Sequence, residues 1–210
     1  MNHPILSFYF DYGSPYAYLG ATQLERIAGE RGASLRYRPF MLGGLFKSIG
    51  TPNVPLFEMP APKRAHATRD MFRWAEHWGV PLVFPTRFPM NTVTALRMTL
   101  QLGEAERPRL ALPIFTAYWC EGADISDPNV LSELANGAGF DGAELVRCAA
   151  NQDVKDALRC ATTDAEALGV CGAPCFRVQA NEDEEGMLFW GQDRLGFVEK
   201  ALSGWRPRSG

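Results

Sequence analysis

The chain has 210 residues and a formal net charge of −3, with 46% hydrophobic and 21% charged residues. These proportions are typical of a globular protein and exclude a disordered, collagenous or disulfide-framework chain. The slightly negative charge provides no general field for a phosphate polymer or an anionic membrane surface, so neither nucleic acid nor a membrane is an expected partner.

Cysteine and histidine usage bears on the compartment and on metal binding. The five cysteines are an odd number without a C-x-x-C pair, which favours free thiols in a reducing compartment. The N-terminus lacks the pattern of a signal peptide, and no segment approaches the ~18 apolar residues of a membrane span. A cytoplasmic location is therefore expected. The three histidines are not at metal-ligand spacing, so no metal site is predicted.

The first elements form a strand, a helix and a second strand. Ile5–Phe10 is a short apolar and aromatic run, which predicts a buried strand. Ser14-Pro15 then predicts a helix start, because Ser is a favoured N-cap and Pro at the first helical position loses no needed N–H. That helix is expected to end at Gly29 or Gly32. Leu35–Phe40 predicts a second strand, parallel to the first across a right-handed crossover.

The middle of the chain reads as a loop followed by helices. Met41–Pro62 is rich in Gly and Pro and is predicted to be irregular. From about residue 63 to 168 only helices are predicted. These are Lys63–Trp78, a helix from Asn91 or Thr92 to Leu102, one from Pro108 to Cys120, short helices after Asp127 and Asp141, and Asp153–Leu168.

The C-terminal part returns to strands. Cys175–Gln179 and Met187–Trp190 are predicted strands joined by a polar hairpin, and a last helix runs from Asp193 or Arg194 to Leu202. The order βαβ, helices, ββα predicts an α/β protein with one sheet built from both ends of the chain. With a proline opening the first C-terminal strand, this is the thioredoxin-like arrangement with a large all-helical insertion. The predicted domains are 1–62 together with 169–210, and a helical insertion at 63–168.

Three ordered motifs carry a family resemblance, and together they span nearly the whole chain. Phe8–Leu19 resembles the opening of 2-hydroxychromene-2-carboxylate isomerases, enzymes of aromatic-ring catabolism related to kappa-class glutathione transferases and to the DsbA-like superfamily. Gly169–Pro174 resembles their cis-proline segment, although Ala173 stands where the family more often has Val. Leu188–Leu195 is similar to their F-W/F-G-x-D-R element.

Ser14 is the candidate catalytic residue. It occupies the strand-to-helix corner that holds the reactive cysteine of thioredoxin-fold redox enzymes. A hydroxyl cannot exchange disulfides, but it can donate to an external thiolate that the helix N-terminus also favours. The resemblance implies that glutathione supplies this thiolate. The alternative is that Ser14 only caps the helix.

The resemblance implies further contacts to glutathione. Ala173, before a cis Pro174, would face the cysteinyl backbone, and Gln192 and Asp193 would bind the γ-glutamyl end. The implied cofactor-binding set is Ser14, Ala173, Pro174, Trp190, Gly191, Gln192 and Asp193. The alternatives are an ordinary trans proline and an Asp193 that merely caps the last helix.

Lys47, Asn53, Val54 and Asn91 are the candidate substrate-binding residues. A single lysine at the tip of a Gly-rich loop is a suitable point-charge partner for a substrate carboxylate. Asn53, followed by Val54, would hydrogen-bond the substrate hydroxyl or carboxylate. The alternatives are a solvated lysine, a turn asparagine and, for Asn91, a helix cap.

The resemblance implies a glutathione-dependent isomerase that interconverts 2-hydroxychromene-2-carboxylate and trans-o-hydroxybenzylidenepyruvate, and a homodimer. The thiolate would add to the conjugated carbon, the resulting single bond would rotate, and the thiolate would leave. The alternatives are a kappa-class-like glutathione transferase and a non-catalytic thioredoxin-fold binding module. The missing C-x-x-C argues against a disulfide oxidoreductase.

Overall fold

The fold centres on a four-stranded mixed sheet. The computed structural model describes residues 3–207. The strands are β1 (Ile5–Phe10), β2 (Ser34–Pro39), β3 (Cys175–Gln179) and β4 (Met187–Trp190), in the order β2-β1-β3-β4. β1 pairs in parallel with β2, whereas β3 is antiparallel to both β1 and β4. The prediction of one sheet built from both ends of the chain is confirmed.

Helices account for most of the remaining chain. They are α1 (Pro15–Arg31), α2 (Leu42–Ile49), α3 (Pro55–Glu58), α4 (Ala61–Trp78), α5 (Val93–Leu100), α6 (Arg107–Trp119), α7 (Pro128–Gly137), α8 (Gly142–Cys148), α9 (Gln152–Ala167) and α10 (Leu195–Leu202). The predicted helices and strands are present with ends shifted by a few residues. Gly32 ends α1 with φ at 59°, a left-handed conformation that glycine adopts without steric cost.

The prediction that Met41–Pro62 is irregular was wrong, because this segment contains α2 and α3. Two glycines in α2 argue against a helix, at about 1 kcal/mol each. Leu45 and Phe46 are nevertheless buried, and Leu45 packs in a cluster with Phe40 and Ala165. Burial of an amphipathic face therefore outweighs the low helix propensity of the glycines.

The two faces of the sheet are covered differently. On one face, Leu6, Phe8 and Phe10 of β1 belong to the main core, where Phe10 lies 5.5 Å from Phe115 of α6 between ring centroids. On the other face, Tyr9 belongs to a smaller cluster under α2 and α9. The first face is thus the structural core, and the second is only partly filled.

Helices are the only regular elements in the described part of the predicted insertion, from α4 to α9, and loops connect them. The core of the insertion is continuous with that of the sheet, because Leu110 and Ile114 of α6 share one cluster with Leu6 and Phe8. The boundaries at 62/63 and 168/169 stay predictions. Within residues 3–207, every helix is too short or too polar to traverse a lipid bilayer.

Candidate active site

The corner between β1 and α1 holds Ser14. Its backbone is extended, with φ −101° and ψ 115°, and its Oγ accepts a hydrogen bond of 3.2 Å from the Ala17 amide. Pro15 occupies the first helical position, so the missing N–H is one the helix does not use. The predicted N-cap is confirmed. The side chain is nonetheless placed at the positive end of a 17-residue helix, where an anion is stabilised.

The same hydroxyl reaches the loop before β3. Ser14 Oγ donates a hydrogen bond of 2.8 Å to the Ala173 carbonyl oxygen, joining residues 159 positions apart. The Ala173–Pro174 bond is cis, in agreement with the resemblance. The Ala173 amide donates to no acceptor within residues 3–207. The structure thus brings together the predicted Ser14, Ala173 and Pro174, with the amide of Ala173 available to a ligand and its carbonyl already engaged.

Gln192 is tied to the helical insertion. It is only 2% exposed, and its Oε1 accepts a hydrogen bond of 2.7 Å from Trp78 Nε1 of α4. It begins a 3-10 turn, Gln192–Arg194, directly after Gly191, whose φ of 101° is one that other residues rarely adopt. Sequence reasoning missed Trp78 as the partner of Gln192, because the two are 114 positions apart and Trp78 has the pattern of a core residue.

Replacement of Trp78 by Phe tests this contact. Phe cannot donate, so the buried Gln192 oxygen would lose its partner, and we expect the free energy of unfolding to fall by about 1–3 kcal/mol. Urea denaturation measures this loss. Trp205→Phe is the matched control, because Trp205 is 40% exposed. Equal losses in the two variants would contradict a stabilising role of the Trp78–Gln192 bond.

Asp193 and Trp190 lie on the surface beside this turn. The Asp193 side chain is 41% exposed and lies 3.4 Å from Arg194. The helix α10 follows Arg194 and receives no side-chain cap, so the alternative that Asp193 caps the last helix was wrong. Trp190 is exposed, and its indole lies so close to Gly172 that a Cβ there would come within 2.6 Å of Nε1. Gly172 thus lets Trp190 cover the proline loop.

Asp11 is a buried residue of the site that sequence reasoning missed. Its carboxylate accepts from the amides of Gly13 and Leu42, each at 2.9 Å, and from Thr92 Oγ1 at 2.7 Å. Desolvation raises the pKa of this carboxyl, although the three hydrogen bonds act in the opposite direction. The amide of Ser14 also donates to the Asp11 carbonyl oxygen. Asp11 therefore fixes the Ser14 corner to the starts of α2 and α5. An acid closing a buried strand was the available sequence signal.

The candidate substrate residues surround this corner at different distances. Lys47 was expected at a loop tip but lies in the last turn of α2 and is exposed. At ~1.5 Å per residue, it is ~7.5 Å along the helix axis from Leu42, the residue that binds Asp11. Asn53 is exposed, and it packs against Gly43 near the start of α2. Its Oδ1 lies so close that a side-chain Cβ at position 43 would be only 3.0 Å from it. Val54, half-buried, immediately precedes α3.

Asn91 binds the backbone at the start of α5, since its Oδ1 accepts a hydrogen bond of 3.0 Å from the Val93 amide. The N-cap position itself is occupied by Thr92, the other residue predicted to cap this helix, and no side-chain cap bond is formed there. Thr92 binds Asp11, so its neighbour Asn91 remains adjacent to the Ser14 corner. Elsewhere in residues 3–207, no group of three or more His, Cys, Asp or Glu side chains is arranged to hold a metal ion.

Comparison with known proteins agrees with this fold. A family model described as a DSBA-like thioredoxin domain matches residues 5–203. The chain belongs to the DSBA-like thioredoxin-domain family. Within that family, it is 31% identical to a 2-hydroxychromene-2-carboxylate isomerase of Sphingobium xenophagum, over 94% of this chain and 97% of the relative.

One further relative and one solved structure are similar to nearly the whole chain. The chain is 28% identical to glutathione S-transferase kappa 1 of Caenorhabditis elegans, over 97% of this chain and 93% of the relative. A solved structure of a 2-hydroxychromene-2-carboxylate isomerase superposes with a TM-score of 0.80 at 26% identity, covering 95% of each chain. The resemblance and the thioredoxin-like α/β fold with its many helices are confirmed. The site residues themselves stay predictions.

Proposed function

We propose that this family member is a glutathione-dependent cis-trans isomerase of the 2-hydroxychromene-2-carboxylate type, acting in aromatic catabolism. The observation that carries the proposal is the hydrogen bond of 2.8 Å between Ser14 Oγ and the carbonyl oxygen of Ala173. It places a hydroxyl, rather than a thiol, between a helix N-terminus and a cis-proline loop. Such a corner lacks its own nucleophile and is suited to bind the sulfur of another molecule.

Glutathione fits the groups that face this corner. The open Ala173 amide can pair with the backbone of a peptide in an extended conformation, as an added strand does. The exposed Asp193 carboxylate offers a partner for an ammonium group. When bound, glutathione supplies a thiol whose thiolate can add reversibly to a conjugated carbon. The chain supplies the groups that hold and orient it: Ser14, Ala173, Pro174 and the segment from Trp190 to Asp193.

The Ser14 hydroxyl must turn to serve a thiolate, because its hydrogen points to Ala173. That neutral hydrogen bond contributes about 0.5–1.5 kcal/mol, whereas a bond to a charged acceptor contributes about 1.5–3 kcal/mol. A hydroxyl hydrogen reorients freely about its C–O bond. Replacing the Ser14–Ala173 bond by a Ser14–thiolate bond is therefore favourable once a thiolate lies at the helix N-terminus. Without a bound thiolate, the Ser14 hydroxyl stays bonded to Ala173.

The proposed substrate is a small aromatic carboxylate. The candidate contacts lie near the elements that Asp11 joins: Lys47 on α2, Asn53 and Val54 just before α3, and Asn91 just before α5. Phe57 of α3 is 49% exposed and lies edge-on to Phe88, 5.9 Å between ring centroids. An aromatic ring presented beside Val54 suits an aromatic ligand. We further propose a homodimer in the cytoplasm.

A kappa-class-like glutathione transferase is the second candidate function. The kappa relative covers as much of this chain as the isomerase relative does. Both activities would use the same thiolate-binding corner. They are separated by product analysis, because an isomerase returns free glutathione whereas a transferase leaves it bonded to the substrate.

Calorimetric titration tests the proposal. We expect reduced glutathione to bind more tightly than S-methylglutathione, because only the former can present a thiolate to Ser14 and to the helix N-terminus. Incubation with 2-hydroxychromene-2-carboxylate should then give the benzylidenepyruvate isomer only when glutathione is present. Equal affinity for the two peptides, or glutathione-independent turnover, would overturn the role assigned to the corner.

Lys47→Ala tests the carboxylate contact. Because Lys47 is exposed, an ion pair there contributes about 0–1 kcal/mol, and we expect KM for the aromatic substrate to rise by about two- to fivefold. The value of kcat should change little, since the contact is equal in the ground and transition states. Steady-state kinetics measure this split, with Lys63→Ala, an exposed lysine of α4, as control. An unchanged KM would remove Lys47 from the substrate site.

A further inference from the structure

A cavity of about 370 Å³ lies on the face of the sheet opposite α1. Its floor includes Ser7 and Tyr9, which point away from the main core that Leu6 and Phe8 enter. The helix α9 forms one wall, with Asp164 among its lining residues. None of the residues assigned to glutathione or to the aromatic substrate lines this cavity.

The strand register gathers arginines around the floor. Ser7 of β1 pairs with Arg36 of β2 on one side and with Arg177 of β3 on the other. Tyr9, two residues further on, pairs with Arg38. Residues directly opposite one another in paired strands project from the same face of the sheet. Three guanidinium groups therefore flank a serine and a tyrosine on a partly covered sheet face.

A fourth arginine comes from the start of α6. Arg107 Nε donates to the Leu102 carbonyl at 3.2 Å, and its Nη1 donates to the Tyr37 carbonyl at 3.1 Å. These bonds hold the guanidinium in one orientation. Desolvation lowers the pKa of Arg107, and the nearby charge of Arg38 lowers it further, whereas the charge of Glu104 acts in the opposite direction. Like charges are thus held together at the cavity, an arrangement that a bound anion would relieve.

Three acidic side chains lie at or near the cavity: Glu182 and Asp164 line it, and Glu104 contacts two of its arginines. Glu182 pairs with Arg36, and Glu104 pairs with Arg36 and Arg38. The side chains of Glu182 and Glu104 are 63% and 43% exposed, against 24% and 32% for Arg36 and Arg38. Arg36 binds Glu182 through two parallel hydrogen bonds and is already engaged. In residues 3–207, Arg38 has only the more exposed Glu104 as its partner, which is a weaker kind of pair. The third acid, Asp164, forms no ion pair within the described chain. A multivalent ligand can therefore compete with Glu104 for Arg38.

Two donors on the floor have no carboxylate partner among the described residues, although the Arg177 guanidinium also interacts with the hydroxyl of Tyr9. Arg177 has no carboxylate within 4.0 Å among residues 3–207. The hydroxyl of Ser7, a residue only 3% exposed, has no hydrogen-bond partner in the same part of the protein. A planar guanidinium beside a hydroxyl matches the oxygens of a phosphate or carboxylate group.

We propose that this cavity binds a small multivalent oxyanion, carrying phosphate or carboxylate groups, at a second site separate from Ser14. Arg177 and Ser7 bind one anionic group from the floor, while Arg38 and Arg107 bind from the side. The volume lies at the lower end of the ~300–1,000 Å³ typical of small-molecule pockets. It suits a ligand with two or three such groups rather than a nucleotide or a peptide.

The test is calorimetric titration of the full chain with pyrophosphate and, separately, with citrate at fixed ionic strength. The two probes distinguish a phosphate ligand from a carboxylate ligand. We expect single-site binding of at least one probe, weakened about tenfold or more by Arg177→Gln. Ser7→Ala should also weaken binding while it leaves the charge unchanged. Glu182→Gln should strengthen binding, because it removes a competing carboxylate at the mouth.

Two controls locate the bound anion. Arg26→Gln makes the same charge change at an exposed arginine paired with Glu30, so affinity should be unchanged. Ser14→Ala should also leave it unchanged. The proposal is overturned if neither probe binds, if Arg26→Gln weakens binding as much as Arg177→Gln, or if Ser14→Ala abolishes it. Should Arg177→Gln fail to fold, Ser7→Ala decides the matter, and wild-type affinity in that variant would overturn the proposal.

Discussion

Ser14→Ala should lower the kcat of isomerisation by about 10²–10³-fold, the loss typical of removing one donor to a charge that catalysis must stabilise. The thiol pKa of bound glutathione should rise, because the thiolate loses its hydroxyl donor while the helix N-terminus remains. Steady-state kinetics and the thiolate absorbance of the complex measure the two effects. Full activity in the variant would reduce Ser14 to a helix cap.

A matched control separates catalysis from stability. Ser14→Ala also removes the cap of α1, and such a loss lowers the free energy of unfolding by about 0.5–2 kcal/mol. Asp127→Ala should have a similar effect on stability, because the Asp127 side chain accepts a hydrogen bond of 2.8 Å from the Asn129 amide at the start of α7. It should leave kcat unchanged. A similar loss of activity in both variants would indicate that the Ser14 effect is structural.

Asp11→Ala should lower the free energy of unfolding by about 3–5 kcal/mol, because three donors would lose a common buried acceptor. Asp11→Asn should cost less. Its amide oxygen can keep the bonds to Gly13 and Thr92, which share one carboxylate oxygen, but its NH₂ group then faces the Leu42 amide. Urea denaturation measures both losses, with Asp153→Asn, an exposed acid, as control. A loss of under 1 kcal/mol in Asp11→Ala would contradict the role assigned to Asp11.

The pH dependence gives this prediction a definite sign. Burial raises the pKa of Asp11 above its ordinary value of 3.8, so the folded state binds the proton more tightly than the unfolded state. The resulting stabilisation is fully present below the unfolded pKa and is lost as the pH rises through the folded pKa. The stability of the wild type relative to Asp11→Asn should therefore decrease as the pH rises from about 4. A relative stability that increases with pH would show that the hydrogen bonds outweigh desolvation.

Local patterns predicted the parts of this protein that depend on neighbouring residues. The extended run before Asp11, the Ser14 cap and the Asp127 cap are short-range features, and each is present in the structure. The failure at α2 has a physical cause, because the two glycines lower helix propensity, whereas the stabilising burial depends on packing against the distant helix α9 as well as the nearby Phe40. Propensity is a weak guide where tertiary packing decides.

Parts of the candidate site were predicted only where a short local motif determines the local geometry. The Ser14 cap and the cis Pro174 were predicted because their motifs specify a corner and a loop. The Trp78–Gln192 bond and the partners of Asp11 were not found, since those contacts join residues 114, 31 and 81 positions apart. The pattern of residues along a single sequence does not show which distant residues come into contact. Lys47 was assigned to a loop for the same reason as α2 was missed.

The contact between Ser14 and Ala173 also determines when the site can form during synthesis. The two residues are 159 positions apart, and β1 lies between β2 and β3 in the sheet. While the ribosome is still translating the helical segment, β1 can pair only with β2, and its other edge stays open. The Ser14 corner can therefore close only after β3 has emerged, when most of the chain has been made. Such non-local pairing is slow compared with helix formation, so the Ser14–Ala173 contact forms after the helices have had time to form.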